Sequence, residues 1–329
     1  MGTLEQTAAR LAALLTGGAD AMADPTGRDL IFEDHIELRA LARTTAPGDV
    51  WAVDGGQALV ADARCLAVYV TRAATVRWRD GASTLEDEGI LDHHLLGAGE
   101  GATARATLAA DLAAAGTPLA PGTAVDVNLL RDWGEWRAVD AAVARADPGA
   151  TVLVDGDLQP DWRIPSAWLA GLLRRALDRG VVLVGVTKHS SLAHGGAPLL
   201  GVLEQQAAAT LGPRAMWWAQ VATTRPDVGA GLRVVVARLD PDARFAFRVD
   251  LPRGADPSAT LGALSAVADD AAFPGYPYPL SVADRLAACP RWLREDVWHG
   301  LRRGFDVAGV PDEVSERAFA DRHRLMERG

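Results

Sequence analysis

Two kinds of apolar pattern alternate along the chain. Short continuous runs bounded by turn residues, Val50–Val53, Cys65–Val70, Ala150–Val154 and Val181–Val186, have the length and β-branched content of buried strands. Longer stretches with apolar residues every three or four positions read as helices. They are Leu4–Leu15, with Glu5 and Arg10 on its polar side; Ala104–Ala115, with Thr103 in the N-cap position; Val127–Arg145, stopped by Asp147-Pro148-Gly149; and Ser166–Arg179, with Gly180 as its C-terminal cap. A second N-terminal helical segment is expected from Asp29 to Arg43, then a turn at Ala46-Pro47-Gly48-Asp49. The strand Val50–Val53 ends at Asp54-Gly55-Gly56, and Ala58–Val60 and Cys65–Ala73 read as two further strands, which puts Asp54 at the first corner of a three-stranded meander. Ala215–Ala222, Leu232–Ala237 and Arg244–Val249 read as later strands, the last with alternation, followed by a helix over Pro257–Asp269 and another ending at Ala288. Strand–helix–strand order with buried-type strands predicts an α/β fold with a partly parallel sheet. Proline and glycine are spread along the chain rather than gathered in a linker, so one domain with helical extensions is expected.

Composition narrows the class. At 329 residues, 49% hydrophobic and 23% charged, the chain is globular and large enough to bury a core without staples. The two cysteines, Cys65 and Cys289, sit at no zinc spacing, which argues against a disulfide framework and for a reducing, cytoplasmic setting. The first residues lack the basic start and apolar core of a leader, and no apolar stretch is long enough to cross a membrane. A net charge of −10 counts against nucleic-acid binding unless part of it is a carboxylate cluster offset by bound cations. Arginine supplies nearly all the basic residues, and Lys188 is the only lysine.

The candidate chemistry lies at strand ends. Val53-Asp54-Gly55 and Val154-Asp155-Gly156 each place a carboxylate after a buried run, followed by a glycine that lets a metal or phosphate approach the backbone. Oxygen donors of this kind suit Mg²⁺ or Mn²⁺. The plain alternative is that Asp-Gly is a turn dipeptide. Glu135 stands beside the apolar stripe of its helix and can point inward, or it can pair with Arg131 on an exposed face. Asp155 and Asp157 form an Asp-x-Asp pair of the kind used by aspartyl-phosphate transferases, but Gln159 stands where those enzymes need threonine or valine. Lys188, beside Thr187 and Ser190 at the end of another apolar strand, can hold a phosphate as a point charge or be a solvated loop lysine.

With these residues in view, the chain resembles the NurA nucleases. The resemblance rests on the two Asp-Gly strand ends, Glu135 before Asp155, the Gly185-Val-Thr-Lys-His-Ser190 segment and, above all, Pro274-Gly-Tyr-Pro-Tyr-Pro-Leu-Ser-Val-Ala-Asp284. It implies an RNase H-like, PIWI-like mixed sheet flanked by helices, related to the nuclease domain of Argonaute proteins. The core would span residues 46–290, with an N-terminal helical extension over 1–45 and a C-terminal helical tail over 291–329. It also implies a Mn²⁺-dependent DNA nuclease, with Mg²⁺ as the other candidate and two ions per site. Such an enzyme is a 5′–3′ exonuclease and single-strand endonuclease, a homodimer that works with the hexameric ATPase HerA in end resection during DNA repair. By the same resemblance Asp54, Glu135, Asp155 and Asp284 would bind metal, Lys188 would stabilise the phosphate, and Tyr276 and Tyr278 would line the substrate. Two departures are Gly56 and Asp157, where the family often has serine. Arg72, Arg77 and Arg79 are candidates for the DNA surface. The competing reading is a catalytically silent adaptor that grips DNA for the ATPase ring.

Overall fold

The computed structural model describes residues 3–16, 22–24, 30–97, 103–159, 161–224 and 231–320. In chain order they form helix α1 (Leu4–Thr16), strands β1 (Met22–Ala23), β2 (Leu30–Phe32) and β3 (Arg39–Ala40), the long hairpin β4 (Asp49–Asp62) and β5 (Leu66–Arg79), and strands β6 (Ala82–Asp87) and β7 (Asp92–Gly97). Helices α2 (Thr103–Ala114) and α3 (Val127–Arg145) lead into β8 (Thr151–Asp155), α4 (Ser166–Asp178) and β9 (Val182–Thr187). A small hairpin, β10 (Ala193–His194) and β11 (Ala197–Pro198), precedes α5 (Leu199–Thr210) and the strands β12 (Trp217–Thr224), β13 (Leu232–Arg238) and β14 (Phe247–Pro252). Helices α6 (Pro257–Ser265), α7 (Tyr278–Ala287), α8 (Arg291–Val307) and α9 (Asp312–Phe319) end the described chain.

Eleven strands join in one mixed sheet, ordered β2-β12-β13-β14-β9-β8-β4-β5-β6, with β3 added to β12 and β7 to β5. β8 runs parallel to both β4 and β9, and the other pairings of this sheet are antiparallel. A parallel pair needs a long crossover, and α4 supplies it between β8 and β9. Parallel strands covered on both faces must be apolar throughout, as Val152, Leu153 and Val154 are. Trp51, Val53, Val152, Val154 and Leu183 pack with Leu129, Trp133 and Val139 of α3 and Leu172 of α4. The alternate residues Val50, Ala52, Leu153, Val184 and Val186 face the opposite way, with Leu261 of α6 and Leu280 and Ala283 of α7.

α3 begins where Asp126 accepts a hydrogen bond from the Leu129 N–H at 2.9 Å. α7 is launched by the Gly275–Pro279 string. Gly275 has φ +90, Tyr276 packs against Phe247 at 5.4 Å between ring centroids, and Pro279 occupies the first turn.

Three expectations need correction. Asp54 is not at a corner, because β4 runs unbroken from Asp49 to Asp62 and pairs Asp54 with Ala74 of β5. The glycines after it are extended residues that make room for neighbours. A Cβ on Gly55 would lie 2.6 Å from Glu135 Oε2, and one on Gly56 would collide with the backbone carbonyl of Ala287 in α7. The described part of the segment Asp29–Arg43 is not helical, since Leu30–Phe32 and Arg39–Ala40 pair with the open edge of β12. Sheet pairing here overrides local propensity. The strand expected over Arg244–Val249 begins later, since β14 runs Phe247–Pro252, and despite its alternating charges it is buried from Phe247 to Leu251. Beyond residue 290 the described chain forms α8 and α9, while residues 1–2, 17–21, 25–29 and 321–329 of the expected helical extensions lie outside the described residues.

Gly56→Ala forces a methyl group into the α7 backbone. We expect it to destabilise the fold by about 1–3 kcal/mol, the usual cost of overpacking. Urea unfolding is the measurement, and a loss below a few tenths of a kcal/mol would mean that α7 is not held by this contact.

Candidate metal centre

The pleat decides which acids meet. Parallel pairing of β4 with β8 stops at Val53↔Val154, so Asp54 and Asp155 emerge side by side where the two strands part. Both continue the alternation of Ala52 and Leu153 and lie on the α7 side of the sheet. Lys188, two residues beyond Val186, comes off the end of β9 on the same side. α7 adds Asp284 from above. One oxygen from each of Asp54, Asp155 and Asp284 lies within 4.8 Å of the others. Lys188 Nζ bridges two of the three, at 2.6 Å from Asp155 Oδ2 and 2.6 Å from Asp284 Oδ1. The Gly55 N–H donates to Asp54 Oδ1 at 2.7 Å.

Glu135 reaches this cluster from the other face. It is 5% exposed on α3, with its carboxylate over Gly55, and it lines a cavity of about 280 Å³ with Asn128, Arg131, Asp132, Asp155 and Thr187. The Arg131 Nε and Thr187 Oγ1 atoms in that wall are buried without a hydrogen-bond partner.

The electrostatics follow from crowding. Burial, with Asp155 and Asp284 as like charges, pushes the Asp54 carboxyl up to about 8 against the relief given by Lys188 and the Gly55 N–H. Burial, then Asp54, drives Glu135 well above the ordinary carboxylate range. Burial works to lower Lys188, but Asp155 and Asp284 outweigh it and hold the ammonium charged. Burial and the neighbouring Asp155 raise the Tyr276 hydroxyl. That hydroxyl lies beside Asp155 without a hydrogen bond of regular geometry, and its ring stands 5.2 Å from Lys188 Nζ. Burial also brings Asp132 up to about 6, opposed by the Asp161 N–H it accepts at 2.7 Å.

Not every candidate joins the cluster. Tyr278 packs edge-on against Trp78 at 5.1 Å and lines a separate cavity with Pro47 and Val267. Asp157 lies 3.5 Å from Arg248, which also chelates Asp250 at 2.8 and 2.9 Å. Asp250 in turn accepts the Leu158 N–H at 3.1 Å. Arg248 and Asp250 are 1% and 0% exposed, so this ion pair sits in the core beneath the loop that follows Asp155. Sequence reasoning missed it because charges at alternate positions of Phe247–Leu251 look like a solvated strand face. The three arginines proposed for DNA are engaged elsewhere. Arg77 and Arg79 both bind Asp49 and Asp147. Arg72 pairs with Glu88 and donates to the carbonyls of Ala287 and Ala288 at the end of α7.

No protein-family model and no curated protein matches the sequence. Among solved structures, the NurA nuclease from Sulfolobus solfataricus aligns over 93% of this chain and 95% of its own, with a TM-score of 0.58 at 15% identity. The chain has the fold of the NurA nuclease. A second NurA structure covers 75% of this chain and 85% of its own at 8% identity with a TM-score of 0.47. The catalytic domain of human Endonuclease V covers 93% and 96% at 16% identity with a TM-score of 0.38. The expected mixed α/β sheet flanked by helices is the observed one. In this NurA-like frame the donor set is all oxygen, crowded and short of positive charge, which fits a divalent cation such as Mg²⁺ or Mn²⁺.

Asp54 holds its proton more tightly folded than unfolded, where the ordinary value is 3.8. Without divalent ions it therefore costs no stability at acid pH and a growing amount as pH rises from about 4 to about 8. We expect the chelated wild-type protein to lose thermal stability over that range by more than Asp54→Asn does. Parallel pH profiles of the two melting temperatures would refute the crowding described here.

Proposed function

We propose that this protein is a metal-dependent DNA nuclease of the NurA kind. The observation that carries the reading is the convergence of Asp54, Asp155, Asp284 and Lys188 where the parallel strands end, within a NurA-like fold. Asp54, Asp155 and Asp284 would hold a divalent ion, with Glu135 nearby across Gly55, and such an ion would supply an activated water and stabilisation of the leaving oxygen in phosphodiester hydrolysis. Lys188 presents a fixed positive charge to the phosphate. Tyr276 walls the site and limits water behind Asp155. Mn²⁺ is the preferred ion in this reading and Mg²⁺ the alternative. The chain acts as a single catalytic domain in the cytoplasm. On the resemblance described above, it works as a homodimer with a HerA-type ATPase, cutting 5′–3′ at DNA ends and within single strands during resection.

The charge pattern supports dependence on a partner. With net charge −10 and Arg72, Arg77 and Arg79 tied to protein groups, none of these three arginines offers a free charge to phosphates. An ATPase ring that feeds DNA would supply a high local concentration of substrate instead.

Asp54→Asn and Asp155→Asn are each expected to lower Mn²⁺-dependent cleavage of end-labelled duplex and circular single-stranded DNA by more than about a hundredfold. Both should keep the wild-type circular dichroism spectrum. Cleavage that survives in either variant, or in thorough chelation, would overturn the assignment. A wild-type chain that cuts neither substrate with any divalent ion would instead point to the silent DNA-gripping adaptor.

For the partner, fluorescence anisotropy at physiological salt should show weak DNA binding by the chain alone, with cleavage rising steeply on addition of the ATPase and ATP. Tight binding alone, with no rate change on adding the ring, would refute that dependence.

A further inference from the structure

The bridge made by Lys188 bears on how many ions the site takes. Nζ occupies Asp155 Oδ2 and Asp284 Oδ1, and the Gly55 N–H occupies Asp54 Oδ1. Each of those oxygens keeps a second lone pair, but an ion bound to Asp155 Oδ2 or Asp284 Oδ1 would lie against the ammonium. The charge count agrees: three aspartates carry −3, and one ammonium with one divalent cation carries +3. Glu135, across Gly55, is not among the three acids whose oxygens come together and is left out of this count. A second divalent ion would have to share oxygens with the ammonium, and would bring two dications and a lysine together at the same three carboxylates. The lysine is also fixed from several sides. Two carboxylates grip it at ion-pair distance, the Tyr276 ring lies 5.2 Å away, and its side chain is only 30% exposed.

We infer that Lys188 takes the place of a second metal ion, so that the site binds one divalent cation per chain rather than the two expected from the family resemblance. The inference rests on the metal-dependent reading above and sharpens it. Lys188 is then a built-in cation whose charge does not depend on metal supply.

The test counts ions, not turnover. Mn²⁺ binding to the full chain is titrated by the loss of the free-ion electron paramagnetic resonance signal, for wild type, Lys188→Met and Lys188→Arg, with circular dichroism as the check on folding. Wild type and Lys188→Arg should bind one Mn²⁺ per chain, and Lys188→Met should bind two, since Met fills the space of the stem and frees the carboxylates. If Lys188→Met does not fold, Lys188→Gln serves in its place. Two ions in wild type, or a single ion in wild type and Lys188→Met alike, would overturn the inference while leaving the metal reading intact. No Mn²⁺ bound by any of the folded proteins would overturn that reading and the inference with it.

Discussion

Three aspartates whose oxygens approach within 4.8 Å repel one another strongly when all are ionised. For Asp54 and Asp155, both nearly buried, the repulsion is about 3 kcal/mol or more at an effective dielectric constant of about 20. Such an arrangement persists only if the surrounding structure imposes it and a positive charge relieves it. Much of the site can be understood from that conflict. Lys188 relieves two of the three acids, Asp54 keeps a proton up to about pH 8 in the absence of an ion, and the remaining deficit is what makes a cation welcome.

The imposing force is apolar packing on both faces of the sheet. The parallel pairing of β4 with β8 and β9 is locked by side chains that alternate between the α3 layer and the α7 layer, so the last residues of these strands cannot rotate away from one another. Beneath them, Arg248 and Asp250 tie down the loop after Asp155. A buried pair of this kind adds little net stability compared with an apolar replacement, but it is damaging to break. Its effect here is to fix Leu158 and Asp157, and through them the turn that carries Asp155. Asp157 thereby has a partner inside the core and is not among the three clustered aspartates.

The sequence made the central elements readable because their signals are local. The apolar runs at β8 and β9 and the capped periodicity of α3 and α4 appear within a residue or two of where they lie. Asp155 and Lys188 could be singled out as residues at strand ends, and Asp54 as the acid that closes an apolar run. What sequence could not supply was the pairing in space. The pleat phase that puts Glu135 behind Gly55 and Asp284 in front of Asp54 depends on which helix covers which face. β2 and β3 were misread because their extended form depends on the distant edge of β12. β6, β7 and α5 carry weak periodicity and went unassigned. The role of Asp54-Gly55-Gly56 was also inverted. A pair that reads as a turn is a stretch of straight strand pressed from both sides.

Because Lys188 is the chain's only lysine, the protein has a single side-chain primary amine, and it lies inside the site. Among side chains, amine-directed chemistry is therefore confined to this one position. Acylating or reductively alkylating reagents need the neutral amine, and the two aspartates hold it protonated, so reactivity at this one position reports whether the ammonium is still clasped. The same scarcity means that enzymatic acetylation of a lysine side chain, should it reach this protein, has only one residue to modify, and that residue bridges two of the clustered aspartates.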